Sequence, residues 1–335
     1  MSFISTIFNW HEKLFQDSLF TQKATSLTVT FAIILGIIAA YMNFQARQIN
    51  WQLWEQNKEE FYFKDMPLFT TMDAGYFLGI AGYIKSGKTM DEYQSLRAFP
   101  KYQIKAQSMD PPEQSAPLLS KLIAYFAKDA SPKALLIAGN KMIPYTAAIT
   151  AVAIFIAFGA TGYWMEGSVA AAGGGLSIAY YWRSAMGRID TDQLNLGLMY
   201  FMFAMVLCAG KTKDVKLGIF FTILAGLTAN LFMSWYGKSE LILMASITLF
   251  WLLIVLVRDW RRIVGFTLLF FLISGVEMIN PFNSIYIQKE MTSDNFIFSN
   301  VIFTVTEASK LPLNETLIRM TGSVYISIIC IIGVL

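Results

Sequence analysis

The feature that most constrains this sequence is a series of long segments without a single charged side chain. Eight segments lack Asp, Glu, Lys and Arg: Ala24–Ala46, Met142–Met165, Gly167–Trp182, Gln193–Gly210, Leu217–Gly237, Leu241–Val257, Ile263–Val276 and Met320–Leu335. A helix needs about 20 apolar residues to cross the hydrocarbon core of a bilayer. Because lipid offers the backbone no hydrogen-bond partner, such segments are expected to be helical. We therefore predict an all-α, polytopic membrane protein with six or seven complete spans and a last span that is cut short.

The composition supports this class and narrows the chemistry. Of the 335 residues, 55 % are hydrophobic and 15 % are charged, whereas soluble domains carry roughly 25 % charged residues. The net charge of +3 is too small to indicate a nucleic-acid partner. A single histidine, His11, excludes a multi-histidine metal site, and two cysteines, Cys208 and Cys330, exclude a disulfide framework or a four-thiolate zinc site. Any chemistry must therefore come from carboxylates.

Two basic clusters predict the orientation, because short cytoplasmic loops are enriched in Lys and Arg. The first cluster is Lys211, Lys213 and Lys216, and the second is Arg258, Arg261 and Arg262. We place both clusters on the cytoplasmic side. Counting spans from them predicts a cytoplasmic or interfacial segment over 1–23 and a transmembrane domain over 24–335, with external loops at 47–132 and 277–319.

Two shorter features refine this topology. The apolar piece Leu118–Phe126 is too short to span, so it is predicted to be a surface or re-entrant helix. The run Gly173–Gly175 lies inside a predicted span and indicates close packing between helices.

Three acidic segments lie on the predicted external face. They are Thr70–Tyr76, which contains Asp73, then Arg188–Asp192, which contains an Asp-x-Asp pair, and Thr304–Glu307. Each one alone is equally typical of a helix cap. Together they place carboxylates from three distant segments at one membrane face. Oxygen ligands of this kind suit hard cations such as Mg²⁺ or Mn²⁺, often together with substrate phosphates.

At this point the sequence resembles a known family, the catalytic subunits of oligosaccharyltransferases of the bacterial single-subunit (PglB-like) type. Thr70–Tyr76 resembles the family's first acidic motif, and Arg183–Asp192 resembles the second, with an Arg seven residues before the first Asp. Ser234–Gly237 resembles an aromatic turn between two later spans, and Thr304–Glu307 resembles the family's T-I-x-E motif. Arg319, twelve residues after Glu307, resembles an Arg that reads the acceptor. The resemblance covers roughly residues 24–335.

The resemblance implies a GT-C-type membrane domain and a metal-dependent, inverting glycosyltransferase. The donor would be an oligosaccharide on a polyprenyl pyrophosphate such as undecaprenyl pyrophosphate, and the acceptor would be asparagine in an N-x-S/T sequon. Asp73, Asp190 and Glu307 would be catalytic and would hold Mg²⁺ or Mn²⁺. The location would be the bacterial inner membrane, with the active site on the periplasmic face.

The resemblance also implies roles for the remaining motif residues. Asp192 and Tyr236 would lie on the lipid-pyrophosphate side, and Arg319 would contact the acceptor peptide. Arg183 and Thr304 would support the carboxylates. Two purely structural interpretations stay open. Arg183 would be an interfacial anchor at a helix end, and Arg319 would be a charge beside the last span.

The chain departs from the family in two respects. The family usually has an extra pair of spans between the second acidic motif and the last external loop, and it continues into a periplasmic domain with a Trp-Trp-Asp signature. No Trp-Trp-Asp occurs in this sequence. We therefore expect a partial enzyme, truncated before the periplasmic domain.

Two alternatives remain. Another membrane glycosyltransferase that uses a polyprenyl-phosphate sugar would need no sequon site, which suits the missing Trp-Trp-Asp. A non-enzymatic transporter would use the carboxylates to bind ions, but intramembrane charges are then expected in the middle of spans. The acidic residues of this sequence cluster instead at the predicted external ends.

Overall fold

The computed structural model describes residues 26–88, 116–236 and 259–275, together with Phe250. The chain divides into two units, Met1–Val276 and Glu277–Leu335, and all described residues lie in the first. The described ranges contain these elements: α1 Ser26–Gln56, α2 Lys58–Phe61, β1 Tyr62–Phe63, β2 Met66–Pro67, α3 Met72–Lys85, α4 Leu118–Phe126, α5 Pro132–Ala160, α6 Trp164–Leu176, α7 Ile178–Arg183, α8 Asp192–Lys211, α9 Val215–Trp235 and α10 Trp260–Ser274. Strands β1 and β2 form an antiparallel hairpin.

Four of these helices are long and apolar enough to cross a membrane: α1, α5, α8 and α9. They coincide with four of the predicted spans and are consistent with the predicted all-α membrane class. The predicted span Leu241–Val257 lies outside the described residues apart from Phe250, and Met320–Leu335 lies outside them entirely. The short helix predicted at Leu118–Phe126 is confirmed as α4.

The prediction of one continuous span over Gly167–Trp182 is wrong, because the chain leaves the helical conformation at Ser177 (φ −54°, ψ 139°). The Ser177 hydroxyl donates to the Gly174 carbonyl oxygen at 2.8 Å, and the Tyr180 amide donates to that hydroxyl at 3.5 Å. The serine side chain therefore ends α6 and begins α7, and two shorter helices replace one span.

Contacts between the long helices give their relative directions. A Cβ on Gly36 of α1 would touch the Phe155 ring of α5 at 3.0 Å, whereas Trp54, later in α1, clusters with Ile143, earlier in α5. Helices α1 and α5 are therefore antiparallel. Helix α8 runs parallel to α5, because the hydroxyl of Thr146 bonds to Gln193 near one end and Lys211 lies near the Ala160 carbonyl at the other.

The two ends of this bundle differ in charge. At the end that we call the basic end, Arg262 donates to the carbonyl oxygens of Lys213 and Asp214, both at 3.0 Å. This contact brings the two predicted basic clusters together. The opposite end, which we call the carboxylate end, is where α1 and α9 finish and α5 and α8 begin, with Asp192 in the first turn of α8.

A close approach between α1 and α6 depends on Gly175. A Cβ at this position would lie 2.6 Å from Cγ of Asn43, and the Asn43 amide is fixed by bonds to the carbonyl oxygens of Ala39 and Ala171. This approach confirms the close packing predicted for the glycine run. The structure corrects the predicted start of the external loop, which was placed at Arg47.

Arg47 instead lies within α1, where it is fully buried. Its guanidinium donates to the Gly175 carbonyl oxygen at 2.9 Å.

Two neighbouring glycine substitutions test this packing. Gly175→Ala is expected to lower the stability of the detergent-solubilised protein by about 1–3 kcal/mol, because the new methyl group overpacks against Asn43. Gly173→Ala is the matched control, since nothing lies within 4 Å of its Cβ position, and alanine favours the helix by about 0.5–1 kcal/mol. Thermal unfolding measures both, and equal midpoints for the two variants would contradict the packing.

Candidate functional site

The second acidic motif ends in a loop, residues 184–191, that joins α7 to α8 at the carboxylate end. Two asparagines from other helices hold its backbone: the Met186 amide donates to Oδ1 of Asn50 at 3.1 Å, and the Gly187 amide donates to Oδ1 of Asn140 at 2.7 Å. Gly187 has a φ of +77°, and a Cβ there would collide with the Trp54 ring. The loop therefore lies against α1 and α5 in a conformation that favours glycine.

The first acidic motif meets this loop directly. The Thr70 amide donates to the Gly187 carbonyl oxygen at 3.0 Å. The next residue, Thr71, caps α3 by accepting a bond from the Ala74 amide at 3.4 Å. This cap places Asp73 in the first turn of α3, where its carboxylate is exposed. Two of the three predicted carboxylate segments are thus brought together by a backbone hydrogen bond.

Asp190 is the buried carboxylate of the site, with 8 % of its surface exposed. Burial raises its pKa most, the negative charge of Asp192 raises the pKa further, and Asp73 adds to the same effect. The Thr191 amide donates to Oδ1 of Asp190 at 2.6 Å; this bond and the charge of Arg188 lower the pKa, but the net shift is upward. The site therefore holds negative charge that its described surroundings do not fully compensate.

Asp192 is more strongly paired. Its Oδ2 accepts from Arg183 at 2.7 Å, and its Oδ1 accepts from the Asn195 amide group at 3.3 Å. Asp192 also lies in the first turn of α8, where the helix dipole favours a negative charge. Arg183 thus contacts one of the carboxylates. It is held there by the short helix α7, whose last residue it is.

The predicted aromatic turn adjoins the same loop. Trp235 is buried at the end of α9, and its indole N–H donates to the Thr191 carbonyl oxygen at 2.7 Å. Tyr236 follows as the C-cap residue and is half-buried, with its ring stacked 6.0 Å from that of Phe232. The hydrogen bond from Trp235 to Thr191 therefore brings the predicted aromatic turn against the second acidic motif.

Three predicted site residues, Thr304, Glu307 and Arg319, lie outside the described residues. The predicted metal ligand set therefore has only Asp73 and Asp190 in the described part of the chain. Over these described ranges, no three His, Cys, Asp or Glu side chains are grouped as a metal site would require.

Sequence reasoning missed the residues that hold the loop. Asn50 and Asn140 are uncharged and belong to no motif. An amide side chain in a spanning helix nevertheless indicates a buried polar contact. The motif gives Arg188 no role beyond starting its segment. Its position two residues before Asp190 could have indicated its influence on that carboxylate.

The comparisons with known proteins add no family to these observations. No protein-family model matches the chain, and no curated protein matches it.

The raised pKa of Asp190 leads to a stability prediction. Between the ordinary carboxyl pKa and the raised one, the folded state holds more protons than the unfolded state, so stability falls as pH rises. Asp190→Asn should therefore raise the unfolding midpoint at neutral pH, and its advantage over wild type should shrink as pH falls below the raised pKa and vanish below the ordinary carboxyl pKa. Thermal unfolding against pH, without added divalent ions, measures this difference.

Asp129→Asn provides a control of opposite sign. Asp129 is fully exposed, and bonds from Ser131 lower its pKa, so its neutralisation should leave the midpoint unchanged or slightly reduced. An unfolding midpoint of Asp190→Asn at or below that of Asp129→Asn at neutral pH would contradict the electrostatic description of the site.

Proposed function

We propose that this chain is the membrane part of an oligosaccharyltransferase catalytic subunit with a GT-C-type fold. It would transfer an oligosaccharide from a polyprenyl pyrophosphate to asparagine in N-x-S/T sequons. The observation that supports this proposal most is the hydrogen bond from the Thr70 amide to the Gly187 carbonyl oxygen. It joins two acidic motifs that are far apart in sequence. The bond from Trp235 to Thr191 adds a third segment in the order that the resemblance requires.

The donor set suits a divalent ion. Asp73 and Asp190 present only oxygen ligands, which hard cations such as Mg²⁺ and Mn²⁺ prefer. The raised pKa of Asp190 is the effect that a bound cation would reverse, because a nearby positive charge favours the ionised carboxylate. The resemblance assigns the third carboxylate to Glu307, which lies outside the described residues. When bound, the ion would stabilise the negative charge that builds on the pyrophosphate leaving group.

The acceptor amide is a poor nucleophile because its nitrogen lone pair is delocalised into the carbonyl group. We propose that Asp73 and Glu307 accept its two N–H bonds and hold the nitrogen out of conjugation, which is positioning rather than proton abstraction. The exposure of Asp73 at the start of α3 would allow an approaching peptide to reach it. Burial of Asp190 suits a residue that holds a metal rather than a peptide.

The lipid-pyrophosphate side of the site would be formed by Asp192 and Tyr236. The ion pair between Asp192 and Arg183 at 2.7 Å fixes the carboxylate and leaves the guanidinium partly exposed to a phosphate. Tyr236 stands at the end of a predicted membrane span, a depth typical of interfacial tyrosines. We place this end of the bundle on the periplasmic face of a bacterial inner membrane, because the opposite end is rich in Lys and Arg.

The carboxylate assignment predicts the loss of transfer. Asp73→Ala and Glu307→Ala should each abolish glycan transfer, measured in a full-length context with a lipid-linked oligosaccharide, a sequon peptide and Mn²⁺. Asp129→Ala is the control, because Asp129 is an exposed carboxylate outside the motifs. Near-normal transfer by Asp73→Ala or Glu307→Ala would refute the assignment.

The acceptor assignment predicts a change of specificity. Arg319→Leu should weaken the preference for an acidic residue two positions before the acceptor asparagine, because the partner of that acid is lost. Lys310→Leu removes a cation of the same segment and should leave the preference unchanged. Competition between paired peptides, one with Asp and one with Ala at that position, measures the preference. An unaltered ratio in Arg319→Leu would remove the role.

A further inference from the structure

Arg47 of α1 is an arginine whose side chain is fully buried within the described bundle. One terminal nitrogen donates to the Gly175 carbonyl oxygen at 2.9 Å and to the Ser184 hydroxyl at 2.7 Å. The other donates to Oδ1 of Asn43 at 3.2 Å. The guanidinium carbon lies 4.7 Å from the centre of the Tyr181 ring, within the range of a cation–π contact.

The partners of Arg47 are all neutral. The ion pairs of the described ranges join Lys58 to Glu55, Lys133 to Asp65 and Arg183 to Asp192, and Arg47 belongs to none of them. A buried charge without a charged partner is costly, even when hydrogen bonds and aromatic rings surround it. A leucine or methionine would fill such a position in a spanning helix at much lower cost. The arginine therefore indicates a requirement other than packing.

Arg47 holds the first residue of the acidic loop. Ser184 is the C-cap of α7, and its hydroxyl accepts from Arg47 and donates to the Tyr180 carbonyl oxygen at 2.8 Å. The loop that carries Asp190 begins at this serine. The hydrogen bond from Arg47 to Ser184 therefore connects α1 to the start of the second acidic motif.

The same network holds the far end of the loop. The Tyr180 hydroxyl donates to the Gln193 carbonyl oxygen at 2.6 Å and lies 2.9 Å from Oγ1 of Thr150. The Gln193 side chain accepts from Thr146 at 3.0 Å, and Gln193 immediately follows Asp192. The Tyr180 ring also faces the guanidinium of Arg47, at 5.5 Å. Both ends of the segment from Ser184 to Gln193 are thus held by one buried polar network.

We propose that Arg47 is a positioning residue that fixes the acidic loop, so that the second acidic motif stays against the first, where the Thr70 amide donates to the Gly187 carbonyl oxygen. It does not contact substrate, because it is buried and both its terminal nitrogens are bonded within the protein. The consequence for transfer rests on the proposed function, whereas the effect on the loop does not.

A matched pair of conservative substitutions tests this role. Arg47→Lys keeps the charge but cannot reach Gly175, Ser184 and Asn43 with one planar fork. Arg262→Lys is the control, because Arg262 also donates to two backbone carbonyls, Lys213 and Asp214, at the basic end. Both variants are made in the full chain carrying Ala185→Cys, with Cys208 and Cys330 replaced by serine.

The first readout is the rate at which a maleimide labels the half-buried probe at position 185. Arg47→Lys should raise this rate by about tenfold, the change expected when a charge-assisted hydrogen bond no longer opposes local opening. Arg262→Lys should leave the rate within a factor of about two of the parent. Equal labelling rates in the two variants would overturn the proposal.

The second readout is transfer, which a purely stabilising role would not move below the unfolding temperature. Arg47→Lys should lower kcat with little change in KM, because misplaced carboxylates reduce transition-state positioning. If the parent shows no transfer in the full-length context used for Asp73→Ala while Arg47→Lys labels faster, the proposed function fails and the positioning role stands. Lost transfer with unchanged labelling would reject the positioning role alone.

Milder variants keep the test decisive if Arg47→Lys does not fold. Ser184→Ala removes the hydroxyl at the start of the loop, and Tyr180→Phe removes the hydroxyl that holds its end. Each should raise the labelling rate by a smaller factor than Arg47→Lys. Labelling at the parent rate in both would overturn the network.

Discussion

The bilayer's inability to hydrogen-bond a peptide backbone is the constraint on which the rest of this structure depends. It requires long, self-satisfied helices through the apolar region and confines irregular backbone to their ends or to protein-buried breaks. The loop 184–191 and the capped start of α3 therefore meet at one end of the bundle. The break at Ser177 is tolerated because the serine hydroxyl bonds to Gly174 and Tyr180. The carboxylate end is thus a consequence of helix formation, and the proposed site lies where helices end, a region in which charged loops are inexpensive.

The electrostatics of that end oppose folding locally. Asp190 is buried beside Asp192 and within the influence of Asp73, and its pKa is raised in consequence. Such an arrangement is unfavourable unless a cation or substrate compensates it, which is typical of functional sites rather than of structural ion pairs. Asp192, by contrast, forms an ion pair with Arg183. Two carboxylates that are two residues apart therefore have different environments and suit different roles.

Much of this architecture could be predicted from the chain alone. The apolar segments of α1, α5, α8 and α9 and the short helix α4 follow from length and absence of charge. Counting spans predicted only that the first and second acidic motifs lie on one side, and the hydrogen bond between Thr70 and Gly187 joins them. The break at Ser177 could not be predicted, since the apolar run continues through it. Nor could the burial of Arg47, because a charge at the edge of an apolar segment normally marks the interface.

The sequence by itself determined which helices are long and apolar enough to cross a membrane, where the acidic and basic clusters lie along the chain, and which residues resemble a glycosyl-transfer site. These properties are local, because they depend on hydrophobicity and charge along a continuous stretch. Only the tertiary structure decided that Asn140 and Asn50 hold the acidic loop, that Trp235 donates to it, and that Arg47 connects it to α1. Those contacts join residues from separate helices. Their energies depend on packing distance and burial, which no single stretch of sequence contains.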